Sequence, residues 1–144
     1  MSLRFLLDTN VASAPMQKVP NATIVRRLEK EGADCAIASV VWHELTYGAK
    51  RLPEGRRRSA LEAYLGDVVR ASFPILPYDE RAGAWHGTER ARLEGLGTPV
   101  PFVDGQIASI AATNGLILVT SNAKDFVRFK GLEVQDWASL RGKR

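Results

Sequence analysis

The first ten residues constrain the fold of this chain more than any other stretch. Leu3-Arg4-Phe5-Leu6-Leu7 is an apolar run without helical spacing, and it stops at Asp8. Such a run reads as a strand buried on both faces, which is the habit of a parallel sheet. Open parallel sheets collect their ligands outside the carboxyl ends of the strands, so Asp8 is placed for chemistry. An Asp after a strand also caps the helix that follows, and taken on its own Asp8 fits that role better.

The pattern then repeats along the chain. Thr9 to Ser13 reads as a short helical turn, with Pro15 and Pro20 marking the loop beyond it. Asn21 caps a helix that sets Ile24, Val25 and Leu28 on one face and ends at Gly32. Cys35-Ala36-Ile37-Ala38 is a second short strand, and Ser39 can cap the next helix, which carries Val41, Glu44, Leu45 and Gly48. From Arg56, the spacing of Leu61, Tyr64, Leu65 and Val68 predicts a long amphipathic helix. Ile75-Leu76, held between Pro74 and Pro77, fits only an edge strand. Asp79 caps a helix with Ala82, Trp85 and Leu93 on its core side, and the stretch from Gly95 to Pro101 breaks it. Asp104 opens a helix with Ile107, Ile110 and Ala111 buried, stopped by Asn114-Gly115. Leu116 to Thr120 is a continuous buried strand, Val134 and its neighbours form a last edge strand, and a short helix and a basic tail complete the chain.

Strands separated by helices, with no hairpin signals between them, imply crossover connections and a mainly parallel sheet covered on both faces. In that arrangement Asp8, Glu44, Asp104 and Asp125 can meet at one rim of the sheet. The 144 residues suit a single domain, 1–144, and no linker, repeat or low-complexity stretch divides them. The lone Cys35 cannot form an internal disulfide and lies in an apolar run, which points to a buried thiol and a reducing compartment. No segment is apolar for long enough to span a membrane and no cleavage pattern marks the start, so the expected location is the cytoplasm.

Twenty Lys and Arg against sixteen Asp and Glu give a formal charge of +4. The excess gathers at Lys50, Arg51, Arg56, Arg57 and Arg58 and at the tail Arg141-Gly142-Lys143-Arg144. Clusters of this kind attract polyanions by counterion release, although a basic run is more often a solvated helix face. His43 and His86 form no metal-ligand pattern and are assigned structural roles; Trp42, Trp85 and Trp137 are assigned to packing.

Four carboxylates drawn together repel one another, and burial pushes some of them toward protonation unless a cation is present. A set made only of carboxylates, without paired His or Cys, suits Mg²⁺ or Mn²⁺ rather than zinc. Basic patches beside such a site follow the logic of a nuclease, whose substrate phosphates must be guided past the acids. Read from the residues alone, the same four acids are equally a collection of separate caps.

The stretches Leu6-Leu7-Asp8-Thr9-Asn10, Glu44-Leu45-Thr46-Tyr47-Gly48, Asp104-Gly105-Gln106-Ile107-Ala108 and Leu118 to Phe126 resemble, in order and over nearly the whole chain, the four motifs of PIN-domain nucleases, and in particular the VapC toxins of toxin–antitoxin pairs. That resemblance implies a three-layer α/β/α sandwich around a short, mainly parallel central sheet. It implies an endoribonuclease with Asp8, Glu44, Asp104 and Asp125 as its Mg²⁺-binding catalytic centre, Asp8 and Asp104 being the direct ligands. Asn10, Thr120 and Asn122 would orient carboxylates or a water. Arg56, Arg57 and Arg58 are candidate RNA contacts. The implied partners are RNA, a small cognate antitoxin that covers the acidic groove, and a second copy of the chain in a homodimer. Where the family commonly has an arginine between Thr and Asn, this chain has Ser121.

Other classes fit less well. A haloacid-dehalogenase-type phosphatase needs a second Asp two residues after the first, where this chain has Asn10, and a phosphoryl-accepting receiver needs paired acids at the first strand. No glycine-rich phosphate loop follows a strand. The remaining rival is a PIN-like module that binds RNA or protein without cutting, a role that gives little reason to hold four repelling acids together.

Overall fold

The computed structural model describes residues 2–138. The tail from 139 to 144, assigned above to a short helix and a basic end, lies outside them. In chain order the elements are β1 (Phe5–Leu7), α1 (Thr9–Ala12), α2 (Ala22–Glu31), β2 (Cys35–Ala38), α3 (Ser39–Lys50), α4 (Arg56–Tyr64), β3 (Ile75–Leu76), α5 (Glu80–Gly95), α6 (Phe102–Thr113), β4 (Ile117–Val119) and β5 (Val134–Gln135). The five strands form one sheet in the order β3-β2-β1-β4-β5, parallel throughout, with helices packed around it. Leu7 pairs with Ile37 on one side and Val119 on the other, so β1 and β4 end level and β2 runs one residue further.

Burial explains why such short strands hold. Every residue of β1 and β2 is buried, as are Leu118 and Val119 of β4. Truncating one of these leucines to alanine would cost about 2–5 kcal/mol, a large part of the stability of a domain this size. Trp137 is fully buried with its ring edge-on to Phe5, 5.1 Å between centroids, while Trp42 and Trp85 pack half-buried against the core. Cys35 is a free, buried thiol whose pKa burial pushes up to about 12. Among the described residues no helix is long and apolar enough to cross a membrane.

Several local expectations are corrected. Ser39 is the first residue of α3 rather than its cap; Ala38 holds the cap position without a side-chain bond. The helix expected to open at Asp104 begins two residues earlier at Phe102, after Pro101, which puts Asp104 inside the first turn. The long helix from Arg56 widens into a π-helical segment, Leu65–Arg70. One extra residue per turn shifts the phase, so Leu65 and Val69 are buried while Val68, expected on the core face, is 43% exposed. On α2 only Ile24 is fully buried; Val25 and Leu28 are half-covered.

The strand order places the reversal between β1 and β4. β2 and β3 are laid down on one side of β1, and the chain then crosses to add β4 and β5 on the other. Neighbouring connections leave a sheet in opposite directions at such a point and open a crevice at the carboxyl ends. Asp8 follows β1 and Thr120 follows β4, at that crevice.

Candidate active site

Asp8 is only 8% exposed and both of its oxygens are occupied by protein donors. The Thr9 backbone N–H donates to Oδ1 at 2.8 Å, so Asp8 does cap α1, and the Thr120 hydroxyl donates to Oδ2 at 2.8 Å across the crevice. The Asn122 backbone N–H donates to Thr120 Oγ1 at 3.0 Å, which fills the acceptor side of that hydroxyl and directs its proton to Asp8. Asn10 Oδ1 accepts from the Ser121 backbone N–H at 3.3 Å and ties the loop after β4 to the start of α1. Thr120 thus bonds directly to one of the four acids, whereas the Asn10 side chain braces the loop after β4 and reaches none of their carboxylates among the described residues. Asn122 contributes its main chain to the network and its side chain to the cavity wall.

Glu44 reaches the same place from α3, accepting from the Thr9 hydroxyl at 2.5 Å. Asp104 enters from the first turn of α6, where the helix dipole favours an anion. Its position depends on a close approach: a Cβ on Gly105 would fall 2.2 Å from Nε2 of His86. His86 is buried, bonded through Nδ1 to the Tyr78 hydroxyl at 2.8 Å and packed against Phe102 with 4.7 Å between ring centres, so its ring cannot withdraw cheaply. Replacing Gly105 by alanine would cost about 1–3 kcal/mol and displace the turn that carries Asp104. Asp125 closes the 3-10 turn Ala123–Asp125 and is exposed at the margin of the cavity rather than in its wall.

Asp8, Glu44 and Asp104 share an open cavity of about 690 Å³ with Asn10, Asn122 and Tyr47. A smaller apolar cavity of about 490 Å³ between α2 and the π-helical segment contains Glu29 as its sole titratable carboxylate and has no comparable chemistry. The electrostatics of the larger cavity are one-sided. Burial pushes the Asp104 carboxyl up to about 6, and the charges of Asp8, Asp125 and Glu44 push in the same direction. Asp8 is also raised, by burial first and then by Glu44 and Asp125, against the opposing bonds from Thr120 and Thr9. Among the described residues none of the four acids forms a salt bridge.

An all-oxygen donor set that raises its own pKa values is chemically suited to a hard divalent cation. Among the described residues no group of three or more His, Cys, Asp or Glu side chains is close enough to hold one ion together. A divalent cation here would be held by one or two carboxylates, with water completing its shell.

The basic cluster divides. Lys50 and Arg58 both spend their charge on Glu62, at 2.7 and 3.4 Å, and Arg58 also reaches the Leu52 carbonyl. Arg56 and Arg57 are exposed and line a groove with Met16, the residue before Gln17 of the acidic cavity. Tyr47, inside the Glu44 motif, and Arg51, within the basic cluster, line the cavity although neither was assigned a role in the site from sequence, and His43 stands exposed in the cavity wall rather than in a structural role. Their shared spacing of four along α3 was the available signal.

Comparison with known proteins agrees with this geometry. The family model described as "PIN domain" matches residues 5–132. The chain is 35% identical over 138 residues to the tRNA(fMet)-specific endonuclease VapC of Shigella flexneri, covering 94% of this chain and 99% of that protein. Its fold superposes on DNA-bound VapBC from Salmonella typhimurium with a TM-score of 0.82 at 32% identity, covering 94% of this chain and 98% of the other. FitAcB from Neisseria gonorrhoeae gives a TM-score of 0.83 at 28% identity, with 90% and 95% covered. With the crevice, the acids and these likenesses in agreement, the chain belongs to the PIN-domain family.

Proposed function

We propose that this protein is a divalent-metal-dependent endoribonuclease, the toxin of a toxin–antitoxin pair, that hydrolyses RNA phosphodiester bonds in the cavity between β1 and β4. The observation that carries this reading is the uncompensated negative charge there: Asp104 is held up to about 6 beside three acids without an ion pair among the described residues. A stable fold gains nothing from such an arrangement, whereas a cation site needs it.

In this reading Asp8 and Asp104 hold the ion, Mg²⁺ or, in its place, Mn²⁺. Bound there, the ion supplies Lewis acidity toward a phosphate oxygen and lowers the pKa of a water in its shell. Thr120 and the Thr9 backbone fix the Asp8 carboxylate in one orientation, so the ligand is already positioned before a cation arrives. Glu44 and Asp125 stand around that position as acceptors, able to orient an attacking water or take its proton. Arg56 and Arg57, beside the cavity and without carboxylate partners among the described residues, guide the RNA backbone toward it.

The relatives named above are a tRNA-specific endonuclease and toxin–antitoxin complexes, which supports an RNA substrate and an antitoxin that lies over the acidic cavity. A homodimer completes the proposed assembly. The test is incubation of purified protein with bulk tRNA and rRNA. Discrete internal cuts in Mg²⁺ that vanish in EDTA are expected; intact RNA, or equal cutting in EDTA, contradicts the proposal.

A further inference from the structure

Three side chains on one stripe of α3 remain unused by the reading above. His43 and Tyr47 lie four residues apart on α3 and Arg51, four further on, caps its C-terminus with its N–H on the Tyr47 carbonyl, so the three continue one face, and all three line the acidic cavity. Tyr47 is 59% exposed although the core lies one helix face away. The Arg51 guanidinium lies 5.5 Å from the Tyr47 ring centre, and the His43 ring is 6.5 Å away at a 39° tilt. Arg51 forms no ion pair among the described residues, unlike its neighbour Lys50, even with the acids of the same cavity nearby. An exposed aromatic ring and an unspent cation at the mouth of an acidic cavity bury no core surface and neutralise none of the acids. They are the parts of a single-stranded nucleic-acid subsite, in which bases stack on rings and cations take phosphates.

We propose that Tyr47 and Arg51 form the subsite for the nucleotide adjoining the scissile phosphate. An unpaired base of RNA stacks on the exposed Tyr47 ring, and Arg51 holds the phosphate beyond it. The inference rests on the nuclease reading and refines its substrate class. Only a base freed from a duplex can present its face to a ring, so the subsite selects loops and single strands over paired RNA. From Glu44 to Arg51 the stripe runs about 10 Å along the helix axis, which leads the strand away from the acids. Arg51 supplies positive charge at the rim, where Ser121 supplies none.

The test uses the full chain and a pool of random-sequence single-stranded RNA in Mg²⁺, with cut sites read by sequencing. Tyr47→Leu is expected to raise KM roughly tenfold or more with little change in kcat, the size of effect that loss of one stacked base carries. The base preference beside the cut disappears in that variant, and Tyr47→Phe restores both properties. Arg51→Ala lowers the salt slope of RNA binding by about 0.7. Unchanged KM and cut pattern in both Tyr47→Leu and Arg51→Ala overturn the subsite. If the wild-type protein leaves RNA uncut, the nuclease reading fails. Fluorescence anisotropy with the same RNA then decides the subsite alone: a roughly tenfold weaker Kd for Tyr47→Leu supports it, and an equal Kd overturns it.

Discussion

Two acids in this molecule are withdrawn from solvent to nearly the same extent, and they behave in opposite ways. Asp8 is 8% exposed and Glu89 on α5 is 7%. Glu89 receives two bonds from Arg92, each 2.8 Å, and a third from the Lys130 backbone N–H at 2.9 Å. These hold its carboxyl below the usual carboxylate range, with Arg92 the largest cause. Arg92 also reaches the Arg128 carbonyl, so the group ties α5 to the segment leading into β5. Asp8 has two neutral donors, no cation among the described residues and two acids raising it. Where an acid serves the fold, the chain supplies its counter-charge. At the rim of the sheet no described residue supplies one.

The contrast can be broken most forcefully by exchanging roles. Asp8→Asn should lower Mg²⁺-dependent cleavage by roughly a hundred- to a thousandfold or more while the thermal transition of the metal-free protein stays in place or rises. Arg92→Ala should do the reverse, lowering the melting temperature by several degrees and leaving kcat near wild type once the protein is held below its transition. Parallel kinetics and calorimetry on the two variants check both halves; an Asp8→Asn protein that cuts at the wild-type rate would erase the distinction.

Stability against pH should carry opposite signs for the two groups. Asp8 and Asp104 have folded-state pKa values above the ordinary 3.8, so what they contribute to the fold is complete below that value and lost as pH rises through each raised pKa, which for Asp104 is about 6. Glu89, lowered from 4.5, contributes above that value, and its share is lost as pH falls through its depressed pKa. Asp104→Asn should therefore flatten the decline of metal-free stability between about pH 4 and 7, by on the order of 1 kcal/mol once solvent screening at this half-exposed group is allowed for. Denaturant melts across that range provide the measurement, and an unchanged slope would remove the charge crowding from the account. The same titration predicts weaker Mg²⁺ binding below about pH 6, as Asp104 takes up its proton.

The smallest effect concerns the substrate's approach. Arg58 is committed to Glu62 and Leu52, so the triple neutralisation of Arg56, Arg57 and Arg58 should reduce the salt slope of single-stranded RNA binding by about 1.4, the share of two phosphate contacts, rather than the roughly 2.1 of three. A reduction of about 2.1 would show that the Arg58 pair opens when RNA binds.

How much of this was legible beforehand follows from the kind of signal each feature leaves. The runs ending at Asp8 and Thr120 mark buried strands because they are short, lack helical spacing and stop at polar residues, and parallel connections then bring their ends to one edge. Asn21 and Asp79 cap the helices expected of them, bonding to the N–H groups of Ile24 and Ala82. The π-helical turn at Leu65–Arg70 left no mark, since a phase slip of one residue follows from how the helix meets the core and not from any residue in it. Glu89 was missed because a carboxylate on a helix reads as solvated until a distant loop is seen to close over it. Tyr47 and Arg51 were passed over for a similar reason: their shared face matters only after the acids across the cavity are in place.

If the acids gathered at the carboxyl ends of β1 and β4 form a cation site, the metal-free protein must bind a divalent ion through Asp8. Calorimetric titration of the metal-free protein with Mg²⁺ at neutral pH tests it directly, with Asp8→Asn run alongside. The account predicts saturable binding by the wild type that is lost or greatly weakened in the variant. Saturable binding of equal strength in both, or none in the wild type, would contradict it.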